Sequence, residues 1–153
     1  INNALTNYVG VKRRFSFIGK KNKSFVYDDY AHHPTEIAAT LSAAKSLKNK
    51  VIVVFQPHRY TRTKTLIREF IKVLSKVDYL FLLETYSAGE KIIKGATSKD
   101  IFSKILKKNK NTTYLKNIAV LNKLMKPHTT YQNTIVFMGA GSISSIAKKY
   151  LNN

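Results

Sequence analysis

Three short apolar runs constrain the fold of this chain more than any other feature of its sequence. They are VIVVF at 51–55, YLFLL at 79–83 and TIVFM at 134–138. β-Branched and large apolar residues in such runs favour strands. Strands that are apolar throughout, without polar alternation, are typical of a parallel sheet that is covered on both faces.

Segments with helical periodicity separate these runs. After Pro34, the residues Ile37, Leu41, Ala44 and Leu47 recur at spacings of three and four, which predicts a helix with one buried face. Two strands at 14–18 and 24–27 are predicted to form a hairpin around GKKNK. A helix is predicted at 64–76, with Leu66, Phe70, Val73 and Val77 on one face, and another carries Ile101, Ile105 and Leu106 after a capping box of Thr97 and Asp100. The remaining predicted elements are a strand at 112–115, a helix at 119–125 and a closing helix through 147–151.

Strands that alternate with helices across short loops predict an α/β fold with right-handed crossovers. We expect one Rossmann-like, three-layer domain over residues 1–153. Its sheet should be mostly parallel, with about six strands, and the N-terminal hairpin should add one antiparallel strand.

The formal charge of +19 raises the hypothesis that the chain binds a polyanion such as nucleic acid, anionic lipid or nucleotide phosphate. The alternative is a compositional bias, because much of the excess is lysine mixed with asparagine, as in KKNK at 20–23 and KKNKN at 107–111. We favour the bias and expect neither nucleic acid nor a membrane as a partner.

Other aspects of the composition narrow the class of protein. No run reaches the roughly 18 apolar residues of a membrane-spanning helix, and residues 1–8 lack the pattern of a signal peptide. The absence of cysteine excludes disulfides and thiolate chemistry. We expect a cytoplasmic protein and, because the chain begins with Ile, a fragment of a longer polypeptide.

Polar residues cluster after three predicted strands, where ligands bind in sheets of this kind. The first cluster is DDYAHHP at 28–34, which holds two of the eight acidic residues and two of the four histidines of the chain. It is either a site or a helix start capped by an aspartate with ordinary loop histidines. We expect no metal there, because adjacent histidines usually point apart and no third spaced ligand follows.

The second cluster is QPHRYTRT at 56–63, and the third is ETYSAGE at 84–90. In the second, the guanidinium groups of Arg59 and Arg62 are suited to hold a carboxylate or phosphate beside His58. The alternative is two solvated arginines at a helix start. We favour an anion site, because arginine at that position opposes the helix dipole.

Phosphate-binding motifs are weak or absent. Gly139-Ala140-Gly141 after the last strand begins like a dinucleotide fingerprint but lacks its third glycine, so a tight strand-to-helix turn is the simplest interpretation. The motif GxxxxGK[ST] does not occur in the sequence.

Taken together and in order, these segments resemble the C-terminal domain of the Mur ligase family. The stretches DDYAHHPTEIAATLSAAK and VVFQPHRYTRT are similar to the alanine-adding members in particular, and VKRRF, YSAGE and MGAG match further family motifs. The last motif departs from the family pattern at Ser142, where relatives carry Asp or Asn.

The resemblance implies an ATP-dependent ligase that joins L-alanine to UDP-N-acetylmuramate through an acyl phosphate, in peptidoglycan precursor synthesis. It implies that other domains of the same polypeptide bind the UDP-sugar, most of the ATP and the Mg²⁺, so that this domain alone should be inactive.

By the same resemblance, Arg14 and Asp29 contact ATP, while Tyr30, His32, His58, Arg59 and Arg62 line the alanine and UDP-sugar side. We expect Arg62 to hold the alanine carboxylate, Arg59 to lie near the acyl phosphate, and His32 to orient substrate or handle a proton. His33, Glu36 and Glu90 are expected to support them. The runner-up is a basic nucleic-acid-binding module, and a stand-alone dinucleotide-binding domain ranks last.

Overall fold

The computed structural model describes residues 13–152 and confirms the predicted α/β architecture. The strands are β1 (Ser16–Lys21), β2 (Ser24–Asp29), β3 (Val51–Phe55), β4 (Tyr79–Leu83), β5 (Thr112–Leu115) and β6 (Thr134–Met138). The helices are α1 (Pro34–Ser46), α2 (Tyr60–Thr65), α3 (Ile67–Leu74), α4 (Ser98–Ile105), α5 (Leu121–Met125) and α6 (Ile143–Asn152), with 3₁₀ turns at Ile118–Val120 and Lys126–Thr129.

The described strands form one sheet of six in the order β1-β2-β6-β3-β4-β5. β1 pairs with β2 in antiparallel orientation, and all other pairs are parallel. Every residue of β3 and β6 is buried, as the apolar runs predicted. Because β2, β6, β3 and β4 run parallel to one another, the loops that follow them all emerge at the same edge of the sheet.

Two hydrophobic cores lie on opposite faces of the sheet, so the fold has three layers. On one face Ile37, Phe70 and Ile101 of α1, α3 and α4 pack against Val53 and Leu80. The other face is covered by α5 and α6, whose Leu121, Met125, Ile143 and Ala147 pack against alternate residues of the same strands, such as Val54 and Phe81. Successive side chains of a strand point to opposite faces, which is why strands without polar alternation suit this position.

Four local predictions need correction. The helix predicted over 64–76 is two helices that meet at Leu66, where the backbone leaves helical geometry. Threonine hydroxyls bond the carbonyls four residues earlier in α2, from Thr63 to Arg59 and from Thr65 to Thr61, and such bonds bend helices. Leu47 is 40% exposed, because α1 ends at Ser46.

The other two corrections concern the hairpin and the short helix at 119–125. β1 begins at Ser16 because Arg13 and Phe15 have positive φ values of 72° and 44°. It also continues to Lys21, so the turn is shorter than GKKNK. The first residues of the predicted 119–125 helix belong to a 3₁₀ turn. Among the described residues, no helix is long and apolar enough to cross a membrane.

Candidate functional site

The carboxyl ends of β2, β6, β3 and β4 meet at one edge of the sheet, which we name the carboxyl edge. Backbone hydrogen bonds continue between the loops that leave these strands. Gly139 N donates to Asp29 O over 3.1 Å, and Tyr86 N donates to Pro57 O over 2.9 Å. The clusters predicted from the sequence, at 28–34, 56–63 and 84–90, therefore lie side by side.

Four aromatic rings form a row along this edge. The ring centroids of Tyr30 and His32 lie 5.1 Å apart, those of His32 and His58 lie 6.0 Å apart, and those of His58 and Tyr86 lie 5.5 Å apart. The His58 and Tyr86 rings are stacked, with an angle of 10° between their planes. Tyr30 and Tyr86 are exposed at the two ends of the row. The row gives the edge a continuous aromatic surface.

The hydrogen bond of the His32 ring fixes which of its nitrogens is free. Nδ1 lies 2.9 Å from the carbonyl oxygen of Tyr30. Because a carbonyl oxygen can only accept, Nδ1 must carry a proton and donate. In the neutral ring, Nε2 therefore holds the lone pair and is able to accept a proton.

The His58 ring has the opposite arrangement. Arg62 Nη1 lies 3.3 Å from His58 Nδ1 and 3.3 Å from the backbone oxygen of His58. A guanidinium can only donate, so His58 Nδ1 accepts and the proton of the neutral ring lies on Nε2. Burial is the largest cause of the lowered pKa of His58, and the positive charge of Arg62 lowers this pKa further. Both effects favour the neutral ring.

Arg59 occupies a strained backbone position next to this pair. Its φ is 69°, in the left-handed region that residues with a Cβ rarely adopt, and it precedes α2 without a side-chain cap. Its backbone N donates to Tyr86 O over 2.9 Å, which locks the turn against the next loop. The side chain is exposed, so Arg59 and Arg62 place two guanidinium groups at the end of β3.

Asp29, the last residue of β2, and Arg14, which precedes β1, lie beside α1. They line a cavity of about 360 Å³ together with Phe15, Glu36 and Thr40. Asp29 is only 5% exposed, and its carboxylate accepts hydrogen bonds from Phe15 N (2.6 Å), Ala31 N (2.6 Å) and Thr40 Oγ1 (3.0 Å). These bonds tie the segment before β1 to the loop after β2 and to α1. Contact of Asp29 with ATP stays a prediction, and its carboxylate already accepts these three internal hydrogen bonds.

Arg13, which the sequence did not single out, is a structural partner of the site. Its Nε lies 3.1 Å from Asp28 Oδ2, its Nη2 donates to Gly139 O over 2.8 Å, and its guanidinium lies 5.0 Å from the centre of the Tyr30 ring. Ser144 Oγ donates to the same Asp28 oxygen over 2.7 Å. Arg13 and Arg14 are neighbours of the same type, so the sequence does not distinguish them. Only the path of the backbone decides that Arg13 makes these contacts while the side chain of Arg14 is exposed.

The three residues expected to give support are all engaged. His33, rather than an aspartate, caps α1, and Glu36 completes the capping box. Burial raises the pKa of Glu36, but the backbone N–H groups of His32 and His33 outweigh this effect and lower the pKa overall. Glu90 accepts from Thr61 N (3.0 Å) and Thr61 Oγ1 (2.6 Å), and these bonds lower its pKa.

The GAG turn after β6 provides space rather than a phosphate loop. A Cβ atom on Gly141 would lie 2.6 Å from Tyr86 Cγ and 2.9 Å from Gln56 Oε1, and one on Gly139 would lie 2.8 Å from Gln56 O. Gly141 therefore lets the loop after β4 approach closely enough for Tyr86 to stack on His58, and Gly139 makes room for the backbone of Gln56. Ser142 bonds the side chain of Gln56 at 3.2–3.3 Å. Tyr86 and Gln56 were missed as individual site residues, although both lie in the predicted strand-end clusters.

The predicted residues fall into two adjoining groups. Tyr30, His32, His58, Arg59 and Arg62 share the carboxyl edge, while Arg14 and Asp29 line the cavity beside α1, which Tyr30 also lines. Within residues 13–152 no group of three or more His, Asp or Glu side chains is arranged to hold a metal ion.

Comparison with known proteins gives a consistent result. The family model "Mur ligase, glutamate ligase domain" matches residues 13–141. A protein of Carboxydothermus hydrogenoformans named UDP-N-acetylmuramate–L-alanine ligase is 41% identical over 152 residues, which cover 99% of this chain and 33% of that protein. The protein of the same name from Rickettsia typhi is 39% identical over 155 residues, covering 97% of this chain and 31% of that protein.

A solved structure extends the likeness to three dimensions. The crystal structure of UDP-N-acetylmuramate-alanine ligase from Thermotoga maritima aligns with a TM-score of 0.74 at 29% identity, covering 97% of this chain and 31% of that chain. The present chain therefore spans about a third of the length of these relatives. The match to the family model over most of the chain, together with this shared fold, shows that the chain belongs to the Mur ligase family.

Proposed function

We propose that this chain is the C-terminal domain of an ATP-dependent ligase that adds L-alanine to UDP-N-acetylmuramate during peptidoglycan precursor synthesis in the cytoplasm. The names of the relatives that are about 40% identical support this activity. The remaining two thirds of such a protein would bind the UDP-sugar and most of the ATP and Mg²⁺. This domain would supply the amino-acid side of the site, and alone it would be inactive.

The observation that carries the proposal is the convergence of Arg62, His58 and His32 at the carboxyl edge. An amino acid presents a carboxylate and an amine on neighbouring atoms. The guanidinium group of Arg62 suits the carboxylate, because arginine pairs with carboxylates bidentately. The free Nε2 of His32 suits the amine, because it accepts a proton.

The proposed roles follow from these positions. Arg62 holds the alanine carboxylate, and its contact with His58 Nδ1 fixes the guanidinium while keeping the His58 ring neutral. His58 then offers Nε2–H as a donor toward substrate. Tyr30 and Tyr86 close the two ends of the ring row against the ligand.

The covalent steps are acyl activation and amide formation. The carboxylate oxygen of UDP-N-acetylmuramate attacks the γ-phosphorus of ATP, the bond to the β-phosphate breaks, and an acyl phosphate and ADP result. The alanine amine then attacks the acyl carbon, the new C–N bond forms, the bond from carbon to the phosphate oxygen breaks, and the amine loses a proton. His32 Nε2 takes that proton, and Arg59 stabilises the negative charge of the departing phosphate.

Arg14 and Asp29 are proposed to face the nucleotide from the cavity beside α1. Arg14 is exposed at the rim, where its charge favours phosphate. Asp29 would act chiefly through the backbone it fixes, since its carboxylate already accepts three internal hydrogen bonds.

The test is phosphate release by the full-length ligase that contains this domain. ATP, Mg²⁺ and UDP-N-acetylmuramate are supplied with and without L-alanine. We expect release that depends on alanine and a new amide product by mass spectrometry. Release that occurs equally without any amino acid, or no release at all, would contradict the proposal.

A further inference from the structure

A second cavity lies at the opposite edge of the sheet, which we name the amino edge. Its volume is about 570 Å³, and it is bounded by the loops that lead into β3, β4, β5 and β6. Its lining comprises Lys48, Asn49, Lys50, Ile52, Asp78, Tyr79, Asn111, Pro127, His128, Tyr131, Gln132 and Asn133. The proposed ligase reaction uses none of these residues.

One wall of this cavity is aromatic. The rings of Tyr79 and His128 lie 4.2 Å apart, and burial lowers the pKa of His128, which favours its neutral ring. Tyr131 lines the same cavity, and 74% of its surface is exposed. A planar ligand ring can stack on such a surface, because stacking accepts any π-face.

A second wall is cationic. Lys48 and Lys50 line the cavity, and both are exposed. The loops of the amino edge carry eight exposed lysines: Lys23, Lys48, Lys50, Lys76, Lys107, Lys108, Lys110 and Lys126. None of them forms an ion pair with a carboxylate among residues 13–152. These charges raise the local concentration of anions around the cavity.

The cavity is built before any ligand arrives. Buried Ser24 donates to His128 O over 3.1 Å, Asn133 Nδ2 donates to the same oxygen over 2.7 Å, and Asn22 Nδ2 donates to Thr129 Oγ1 over 2.8 Å. These bonds hold the loop that carries His128 and Tyr131. The side chains of Lys48, Lys50, Tyr131 and Gln132 make no hydrogen bond within the described part of the chain, so they are available to a ligand.

We propose that the amino-edge cavity binds a free nucleoside phosphate at a site separate from that of the ligase reaction. The base stacks on the aromatic wall, and the phosphates lie on Lys48 and Lys50. Amide side chains, including that of Gln132, face the edge of the base. The ribose lies beside Asp78, whose Oδ2 already accepts from Val51 N over 2.8 Å, because a carboxylate suits hydroxyl groups and repels phosphate.

The arrangement fits one nucleotide rather than a nucleic-acid strand. Proteins that bind single strands stack successive bases on aromatic side chains along a groove. Here the aromatic residues of the amino edge lie together in one cavity, whose volume is in the range of small-ligand sites.

The experiment is a titration of the ¹⁵N-labelled 153-residue chain with ATP at low salt, followed by NMR. We expect saturable shifts of the amides of 48–50 and 128–133. Tyr131→Ala should weaken this binding roughly 5- to 150-fold, the loss that one stacked base produces. Lys50→Ala should weaken it about 2- to 5-fold. Tyr131 is too exposed for its removal to unfold the chain.

Matched controls separate base recognition from charge. Lys72→Ala removes an exposed lysine from α3, outside the cavity, and should leave binding unchanged. Inorganic tripolyphosphate should bind more weakly than ATP, by about the same factor by which Tyr131→Ala weakens the binding of ATP. The proposal is overturned if tripolyphosphate binds as tightly as ATP, if ATP shifts only amides of the carboxyl edge, or if oligothymidylate binds this cavity and ATP does not.

Discussion

The two edges of the sheet hold their charged side chains in different ways. At the carboxyl edge, Arg13 and Arg62 are fixed by hydrogen bonds to neighbouring side chains and carbonyl groups. At the amino edge, lysines extend into solvent from loops whose one carboxylate belongs to Asp78. Oriented guanidinium groups suit a reaction that needs its substrate in one geometry, whereas mobile ammonium groups supply a field and little orientation.

The largest effect should come from removing an oriented charge at the carboxyl edge. We expect Arg62→Ala in the full-length ligase to weaken the use of L-alanine by roughly 10- to 150-fold, the loss of a charge-assisted contact of about 1.5–3 kcal/mol. The measurement is the dependence of phosphate release on alanine concentration. Arg68→Ala, which removes an exposed arginine of α3, is the control and should have no effect. If the two variants depend on alanine concentration in the same way, Arg62 does not hold the alanine carboxylate.

The next effect tests the close approach that shapes the carboxyl edge. Gly141→Ala places a methyl group 2.6 Å from Tyr86 Cγ. This contact should lower the free energy of unfolding by about 1–3 kcal/mol. Urea denaturation of the 153-residue chain measures this cost.

Tyr86→Gly removes both atoms of Tyr86 that the new methyl group would strike, Cγ at 2.6 Å and Cβ at 2.9 Å. The same Gly141→Ala change should therefore cost much less in that background, and a cost that stays the same in both backgrounds would mean that the clash with Tyr86 is not its origin.

A smaller effect of opposite sign is expected at the amino edge. Lys48 follows the C-terminus of α1 with a φ of 59°, a conformation that favours glycine. Lys48→Gly should raise the free energy of unfolding by about 0.5–1 kcal/mol. Lys48→Ala removes the same charge but keeps the Cβ atom, so it should not stabilise the chain. A gain of stability in both variants would assign the effect to charge repulsion.

The smallest effect compares one histidine from each edge by NMR titration. Burial lowers the pKa of both His58 and His128, but Arg62 adds a charge effect only at His58. Salt screens charges and does not change burial, so added salt should raise the pKa of His58 more than that of His128. Equal responses would mean that burial alone acts at His58.

The sign of the effect on stability is the same for both histidines. Each has a folded-state pKa below the ordinary value of 6.5. At a pH between the folded-state pKa and 6.5, the unfolded chain binds more protons than the folded chain. The contribution of each histidine to stability is therefore complete above pH 6.5 and is lost as the pH falls through the folded-state pKa.

The sequence predicted β3, β4 and β6 well, because burial on both faces of the sheet leaves an unbroken run of apolar and β-branched residues. It predicted less well where local hydrogen bonds compete with periodicity. The helix assigned to 64–76 is the clearest case, since the threonines of α2 bond their own backbone and divide it at Leu66. Periodicity records which side chains are buried, and the buried residues that carried this prediction, such as Phe70, belong to α3, while those of α2, Tyr60 and Thr63, precede residue 64.

At the site, the sequence alone determined which residue types follow which strands, and hence which side chains gather at the carboxyl edge. Parallel strands end at a common edge, so this grouping follows from topology. Only the tertiary structure decided the contacts within the group. The pairing of Arg62 with His58, the stacking of Tyr86 and the placement of Arg13 depend on distances between loops that are far apart in the chain. The grouping of the lysines at the amino edge follows from topology in the same way, because the loops before successive parallel strands all lie at that end of the sheet, whereas the packing of His128 against Tyr79 there depends on the tertiary structure.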